Sequence, residues 1–211
     1  MTGGQVPQSR IHDPARDLPL AGWWRRFGSG VADTVIAWVL TIVVVILADP
    51  GFLPRLGAQY MAYVNQASSS WLAGAKFPTP PVGLTTQLST LIMVLGGVTA
   101  VYCIVFLGTW GATLGHRLCG IKVIKAPLPL GLLAQLPDKP FAEEKPGWLR
   151  AMSKGLSWAL VSAGGGVFVL VQIVNILLPL WHRRKQSVTD LFANTLTVRD
   201  QKGTPPPAAG A

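Results

Sequence analysis

The sequence predicts an all-α integral membrane protein with two transmembrane helices, a third membrane segment and a small cytoplasmic two-strand element. Three observations predict it. Half of the 211 residues are apolar, mean hydropathy is +0.41 and only 13% of residues are charged, about half the ~25% usual in a soluble domain. Two uncharged or nearly uncharged runs have the length that crosses ~30 Å of hydrocarbon. The 18 Lys and Arg residues, which set a formal net charge of +9, lie beside those runs rather than in a stripe interleaved with aromatics. That distribution excludes nucleic acid as the partner and points to the lipid bilayer and its anionic headgroups.

Residues 1–20 form a polar tail rich in Pro, Gly and Asp. They lack the basic start, apolar stretch and small-residue cleavage site of a secretory signal, so the first apolar run is expected to be retained. That run covers about residues 23–48, interrupted only by Asp33 and two threonines after the first turns, and ends at Asp49-Pro50-Gly51. A second span is predicted over residues 88–108, inside a longer stretch without formal charge. Between them Leu53, Leu56, Tyr60, Val64, Ala67 and Trp71 recur at three and four, the period of an amphipathic helix lying on the membrane or packed as a loop helix. After the second span, residues 111–119 suit a short helix and Ile121-Lys122-Val123-Ile124-Lys125 alternates like a strand. A Pro- and Leu-rich loop and a mixed-charge segment follow.

The third membrane segment, about residues 156–181, contains Gly164-Gly165-Gly166, Asn175 and Pro179. Two readings stay open. Trp158 and Trp181 are spaced by about 35 Å of helix, as the two aromatic belts of a spanning helix are. A re-entrant segment bending at the glycines would instead keep both tails on one side. A second strand-like stretch, Thr195 to Val198, closes the domain at residue 199, and residues 200–211, with three prolines, are expected to be disordered. Only Arg55 and Lys76 are basic between residues 49 and 86, so that connection should be extracytoplasmic and the N-terminus cytoplasmic. A re-entrant third segment then lets the two strands pair in the cytoplasm, and a crossing one does not.

Asp33 stands out because a carboxylate inside a spanning helix costs several kcal/mol unless it faces protein or water. Arg26, two turns earlier, shares its helix face about 10 Å away along the axis, too far for a direct bond without bending or a bridging group. Gly30, Ala37 and Thr41 continue the face with small or hydroxylated side chains that admit a neighbouring helix. Either an ion-handling role or a neutralised structural one fits this stripe.

These residues carry a resemblance. The stretch Gly22-Trp23-Trp24-Arg25-Arg26-Phe27 with Ala32-Asp33, the stretch from Gly111-Ala112-Thr113-Leu114-Gly115-His116 to Val123, and Arg184-Lys185-Gln186-Ser187-Val188-Thr189-Asp190-Leu191-Phe192-Ala193-Asn194-Thr195 resemble, in order, three motifs of the RDD family of membrane proteins. His116 stands at the family's basic position, Thr189 where histidine is common and Asn194 where glycine is. The resemblance spans residues 21–199. It implies a bacterial inner-membrane protein, makes Asp190 the second aspartate of a triad with Arg26 and Asp33, and carries the suggestion of cation or proton transport. If the three act together, Asp190 must lie at the cytoplasmic end of the first helix, which favours the re-entrant segment. The competing reading makes Asp190 a cap for its own turn.

Other features are weaker. Arg117, Lys122, Lys125 and residues 183–185 mark topology or meet anionic headgroups. Asn175 suits a bond to a neighbouring helix. The three glycines at 164–166 lack the Lys-Ser/Thr of a phosphate loop, and His12, His116 and His182, with Cys103 and Cys119, have no ligand spacing. No cofactor, metal or enzymatic nucleophile is expected. Two function classes remain: transport of a cation or proton through Arg26, Asp33 and Asp190, for which a homo-oligomer is needed because two or three helices are few for a pathway, or a non-transporting assembly or interaction protein with a membrane-protein partner, in which the triad is a structural clasp.

Overall fold

The computed structural model describes residues 19–126, 145–163, 165–182 and 184–200, with side chains omitted over 161–169. Among the described residues, seven helices and two strands follow one another: α1 (Trp23–Ala48), α2 (Phe52–Leu72), α3 (Val82–Trp110), α4 (Leu114–Leu118), β1 (Ile121–Lys125), α5 (Gly147–Ala163), α6 (Gly165–Trp181), α7 (Val188–Ala193) and β2 (Thr195–Arg199). The expected loop over 127–144 and residues 1–18 and 201–211 of the two tails lie outside the described residues.

Among the described residues, α1 and α3 are the two helices long and apolar enough to cross a membrane. At 26 and 29 residues they measure about 39 and 44 Å at 1.5 Å per residue. The buried residues of α1 are Ser29, Asp33, Ala37, Thr41 and Val45, one stripe at intervals of four, as the sequence implies for 33, 37 and 41. Ser29 rather than Gly30 completes it. Val31, Val35, Val39, Val43 and Leu47 on the other faces are exposed. So long an apolar surface is stable only against lipid or another helix. Helix α3 starts six residues before the expected span, directly after Pro81, because its opening residues, with the polar Thr85, Thr86 and Gln87, are helical without being uniformly apolar.

Helix α2 occupies the predicted segment and packs on α3 and α1. Its sheltered face is not quite the expected one. Leu53, Leu56, Val64 and Ala67 are sheltered, but Tyr60 and Trp71 point outward, and Gln59, Tyr63 and Ser70 take their side. At this end of the bundle the α1–α2 turn is held by the exposed Arg55–Asp49 pair.

The opposite end is more heavily built. Gly111 ends α3 at φ +68, a left-handed conformation that a Cβ penalises, and its carbonyl accepts from Val123 N at 2.7 Å. The chain turns through α4 into β1, which pairs antiparallel with β2 in the register Ile121↔Arg199, Val123↔Thr197, Lys125↔Thr195. The residues leading into α1 add a short third edge: Leu20 bridges Val198, Ala21 N bonds Thr197 O, and Arg199 N bonds Pro19 O. Ile124, Ala126, Leu196 and Val198 form the apolar core beneath, with Leu20 packed on it.

Two helices of 17 residues each, α5 and α6, cover the described parts of residues 156–181, one on either side of position 164 in the glycine run. Each is about 26 Å long, short of the hydrocarbon thickness. Helix α5 begins where α3 ends, with Trp148 against Gly108, and runs antiparallel to it so that Gly155 meets Ala100 O and Ile104. Helix α6 comes back to the start of α1, where Trp23 Nε1 donates to Ile176 O at 2.8 Å. Both ends of the pair thus lie at the sheet end of the bundle. Trp158 packs beside the cluster of Tyr102, Cys103, Leu107, Val123 and Ala151 rather than in an aromatic belt.

A Cβ at position 155 would sit 2.7 Å from Ile104 Cγ1 and 3.2 Å from Ala100 O. Overpacking of this kind costs about 1–3 kcal/mol. Gly155→Leu should therefore lower the melting temperature in detergent, and Gly57→Leu, at a position with open space on α2, should not.

Candidate functional site: two buried carboxylates beside one cavity

Asp33 enters the site from the third turn of α1 and is 3% exposed. Its Oδ1 accepts from Tyr102 OH at 2.6 Å and Gly115 N at 2.8 Å, and its Oδ2 from Thr113 Oγ1 at 2.6 Å. The partners interlock. Tyr102 OH accepts from Leu114 N at 2.9 Å, Thr113 caps α4 by accepting from His116 N at 3.2 Å, and His116 Nδ1 touches the Thr113 hydroxyl. His116 Nδ1 is also 3.4 Å from Asp33 Oδ2. The Thr113 hydroxyl gives its one proton to Asp33, so the ring proton of His116 belongs on Nδ1, pointing at Thr113. Position 115 must be glycine: a Cβ there would lie 2.7 Å from Asp33 Cγ and closer still to the Ser29 carbonyl.

Asp190 lies in α7, 1% exposed. Its Oδ2 receives Arg26 Nη1 at 2.9 Å and Ser187 N at 3.3 Å, and its Oδ1 receives Lys154 Nζ and Thr195 Oγ1, the latter at 3.1 Å. Ser187 Oγ in return accepts from Asp190 N at 3.2 Å, closing a capping box. Burial pushes the Asp190 carboxyl up, but Lys154 and then Arg26 outweigh it and hold the group well below the usual carboxylate range. Arg26 also donates from Nε to Ala21 O at 3.1 Å and from Nη2 to Thr197 O at 2.9 Å. One guanidinium thereby joins the start of α1, β2 and α7.

Arg26, Asp33 and Asp190 are thus all in one region, but not in one cluster. Arg26 pairs with Asp190, and Asp33 is held by the α3–α4 elbow. The expected coupling of Arg26 with Asp33 gives way because each already has nearer partners. The two readings of Asp190, contact with the first helix and local cap, hold at once. Lys154 is the residue that sequence reasoning missed. Its signal was present: no formal charge lies between Lys154 and Arg183, so Lys154 heads an apolar segment and needs a counter-charge as Asp33 does. Tyr102, a phenol in a charge-free span, called for a partner in the same way. Asn175 accepts from Thr189 N at 3.1 Å and anchors α7 on α6, a bond to a neighbouring helix as the sequence suggests.

Between the two carboxylates lies a cavity of about 200 Å³. Trp23, Phe27, Trp158, Ile176 and Pro179 form its apolar wall, and Arg26, Asp33, His116, Lys154, Gln172, Asn175 and Asp190 its polar one. Gln172 Oε1 is buried without a hydrogen-bond partner. Among the described residues no three His, Cys, Asp or Glu side chains gather as a metal site requires.

The RDD family model matches residues 20–134, more than half of the chain. The match includes Arg26, Asp33, Tyr102 and the Thr113–His116 elbow and ends before Lys154 and Asp190. Comparison with curated proteins and with solved structures finds no match.

Asp190→Asn should cost about 3–5 kcal/mol at pH 7, because it leaves two buried cations facing a neutral amide. The Asp190 pKa is depressed by folding, so its contribution is complete above the ordinary carboxylate range and is lost as pH falls toward the folded value. The stability gap between wild type and variant, from thermal melts in detergent, should be constant from pH 7 to about 5 and shrink below about pH 4.

Proposed function

Because the chain belongs to the RDD family of membrane proteins, and because both of its buried acids are already saturated by protein donors, we propose that it is a membrane-embedded assembly or interaction protein whose triad is a structural clasp. The saturation carries the reading. A bound cation needs several oxygen acceptors turned toward it, whereas hydroxyls, backbone N–H groups, a guanidinium and an ammonium point at Asp33 and Asp190. The clasps order a platform at the sheet end whose apolar residues Leu118, Leu149 and Phe192 remain exposed and supply a surface for a membrane-protein partner or a second copy.

In this reading the protein is a multi-pass protein of a bacterial inner membrane with its sheet end in the cytoplasm. Arg25, Arg117, Lys122, Lys125, Lys145, Arg150 and Lys185 at or near that end, against Arg55 and Lys76 at the other, support the orientation. Helices α5 and α6 form a re-entrant hairpin that enters from the cytoplasmic face and returns to it. A reporter fused after residue 80 should read extracytoplasmic, and reporters within 127–144 and after 200 cytoplasmic. An extracytoplasmic readout after residue 200 would overturn the hairpin.

One observation favours the transport reading. His116 lines the cavity and contacts the Thr113 hydroxyl, which donates to Asp33, so a proton has a short relay from cavity to carboxylate. Purified protein in vesicles separates the two functions. Under the clasp reading, an imposed cation gradient moves no more protons than in protein-free vesicles. Flux that Asp33→Asn abolishes would establish transport instead.

A further inference from the structure

We propose that the cavity between α1, α5 and α6 is a binding site for an anionic phospholipid with a hydroxylated headgroup. The inference rests on α1 crossing the membrane with Trp23 at the interface, and it stands whether or not the protein transports an ion.

Charge comes first. Arg26 and Lys154 share a single carboxylate, Asp190. Asp33, the cavity's other carboxylate, keeps its charge although Tyr102, Thr113 and Gly115 bond its oxygens, and it sits two turns further along α1. Arg26 and Lys154 around Asp190 are therefore the positive end of a cavity whose negative end is Asp33. An anion in the cavity is favoured at the Arg26–Lys154 end.

Hydrogen-bond valence narrows the anion. Asp190 takes one of the three N–H bonds of the Lys154 ammonium. Lys154 is 8% exposed and lines the cavity, so its remaining donors face the space rather than bulk solvent. Phosphate oxygens match them. On the α6 side, Gln172 Oε1 is a buried acceptor without a partner, and it calls for a donor. One ligand that offers both acceptor oxygens and a hydroxyl donor is a phosphodiester carrying a glycerol-type head.

Position and wall chemistry then choose the lipid over a free phosphate. The cavity lies along the first three turns of α1, at the depth where Trp23 marks the membrane interface. Its apolar lining is Trp23, Phe27, Trp158, Ile176 and Pro179, side chains suited to the glycerol backbone and the first acyl carbons. Helices α1 and α6 touch little beyond the Trp23–Ile176 bond, and both line the cavity.

The test uses the full chain purified in a neutral detergent, with added phosphatidylglycerol, phosphatidylcholine of the same acyl chains, phosphatidic acid or inorganic phosphate. Thermal shift and native mass spectrometry are the readouts. Phosphatidylglycerol should raise the melting temperature and remain bound as one lipid per chain, and phosphatidylcholine and inorganic phosphate should do neither. Lys154→Gln should weaken phosphatidylglycerol binding by roughly tenfold or more, and Gln172→Leu should erase the preference for phosphatidylglycerol over phosphatidic acid. Arg117→Gln, at the cation–π contact with Trp110 outside the cavity, should change neither. Should Lys154→Gln fail to fold, Gln172→Leu decides alone. Equal effects of phosphatidylcholine and phosphatidylglycerol, equal stabilisation by inorganic phosphate, or unchanged selectivity in folded Gln172→Leu would each overturn the proposal.

Discussion

The Asp190 carboxylate, buried between the Arg26 guanidinium and the Lys154 ammonium, is the contact on which the sheet end of the bundle depends. Each partner comes from a different place: Arg26 from the first turn of α1, Lys154 from the middle of α5, and Thr195 and Thr197 from β2. A buried pair is weak evidence of net stabilisation, because desolvation offsets much of the attraction. Its strength is in geometry. This arrangement brings two cations and two hydroxyls to one carboxylate, so a register shift of α5 or β2 that removes a partner leaves a buried charge less well paired.

Asp33 repeats the device with neutral donors. It grips Tyr102 on α3, Thr113 at the elbow and the backbone of Gly115 on α4, and the absence of a side chain at 115 lets α4 press onto Ser29 and Asp33. The two clasps sit seven residues apart on α1, two helical turns, on nearly one face. One locks the outgoing chain after α3 and the other the returning chain after α6. The far end has no counterpart. Its exposed Arg55–Asp49 pair belongs to a class worth at most about 1 kcal/mol, so order in this molecule is concentrated where the sheet is.

The parts legible in the sequence were those with strong local signatures. Long uncharged runs marked α1 and α3, alternation marked both strands, and the out-of-place Asp33 marked a helix face turned toward protein. Pairing was harder. Arg26 and Asp33 share a face and were the natural couple on spacing alone, yet Arg26 turns toward residues some 164 positions away in sequence, which no local pattern contains. The third segment was ambiguous for a physical reason: two helices of 17 residues joined at a glycine run have the same composition as one long helix. Tertiary contacts, Trp148 on Gly108 at one end and Trp23 on Ile176 at the other, distinguish them.

That hairpin also explains why clasp and cavity occur together. Helix α5 is packed tightly along α3 through Gly108 and Gly155, so it is α6 that must bridge back toward α1, and it does so with few contacts. A half-length helix touching α1 only near its end leaves space beside the first three turns of α1. Space of that kind is tolerable where water or headgroups reach it and costly in the hydrocarbon centre. Charged side chains follow the same gradient, being least penalised near the interface. The chain therefore places its buried ions and the cavity between them within the same few turns of α1, and leaves the remaining length of α1 and α3 to plain apolar packing.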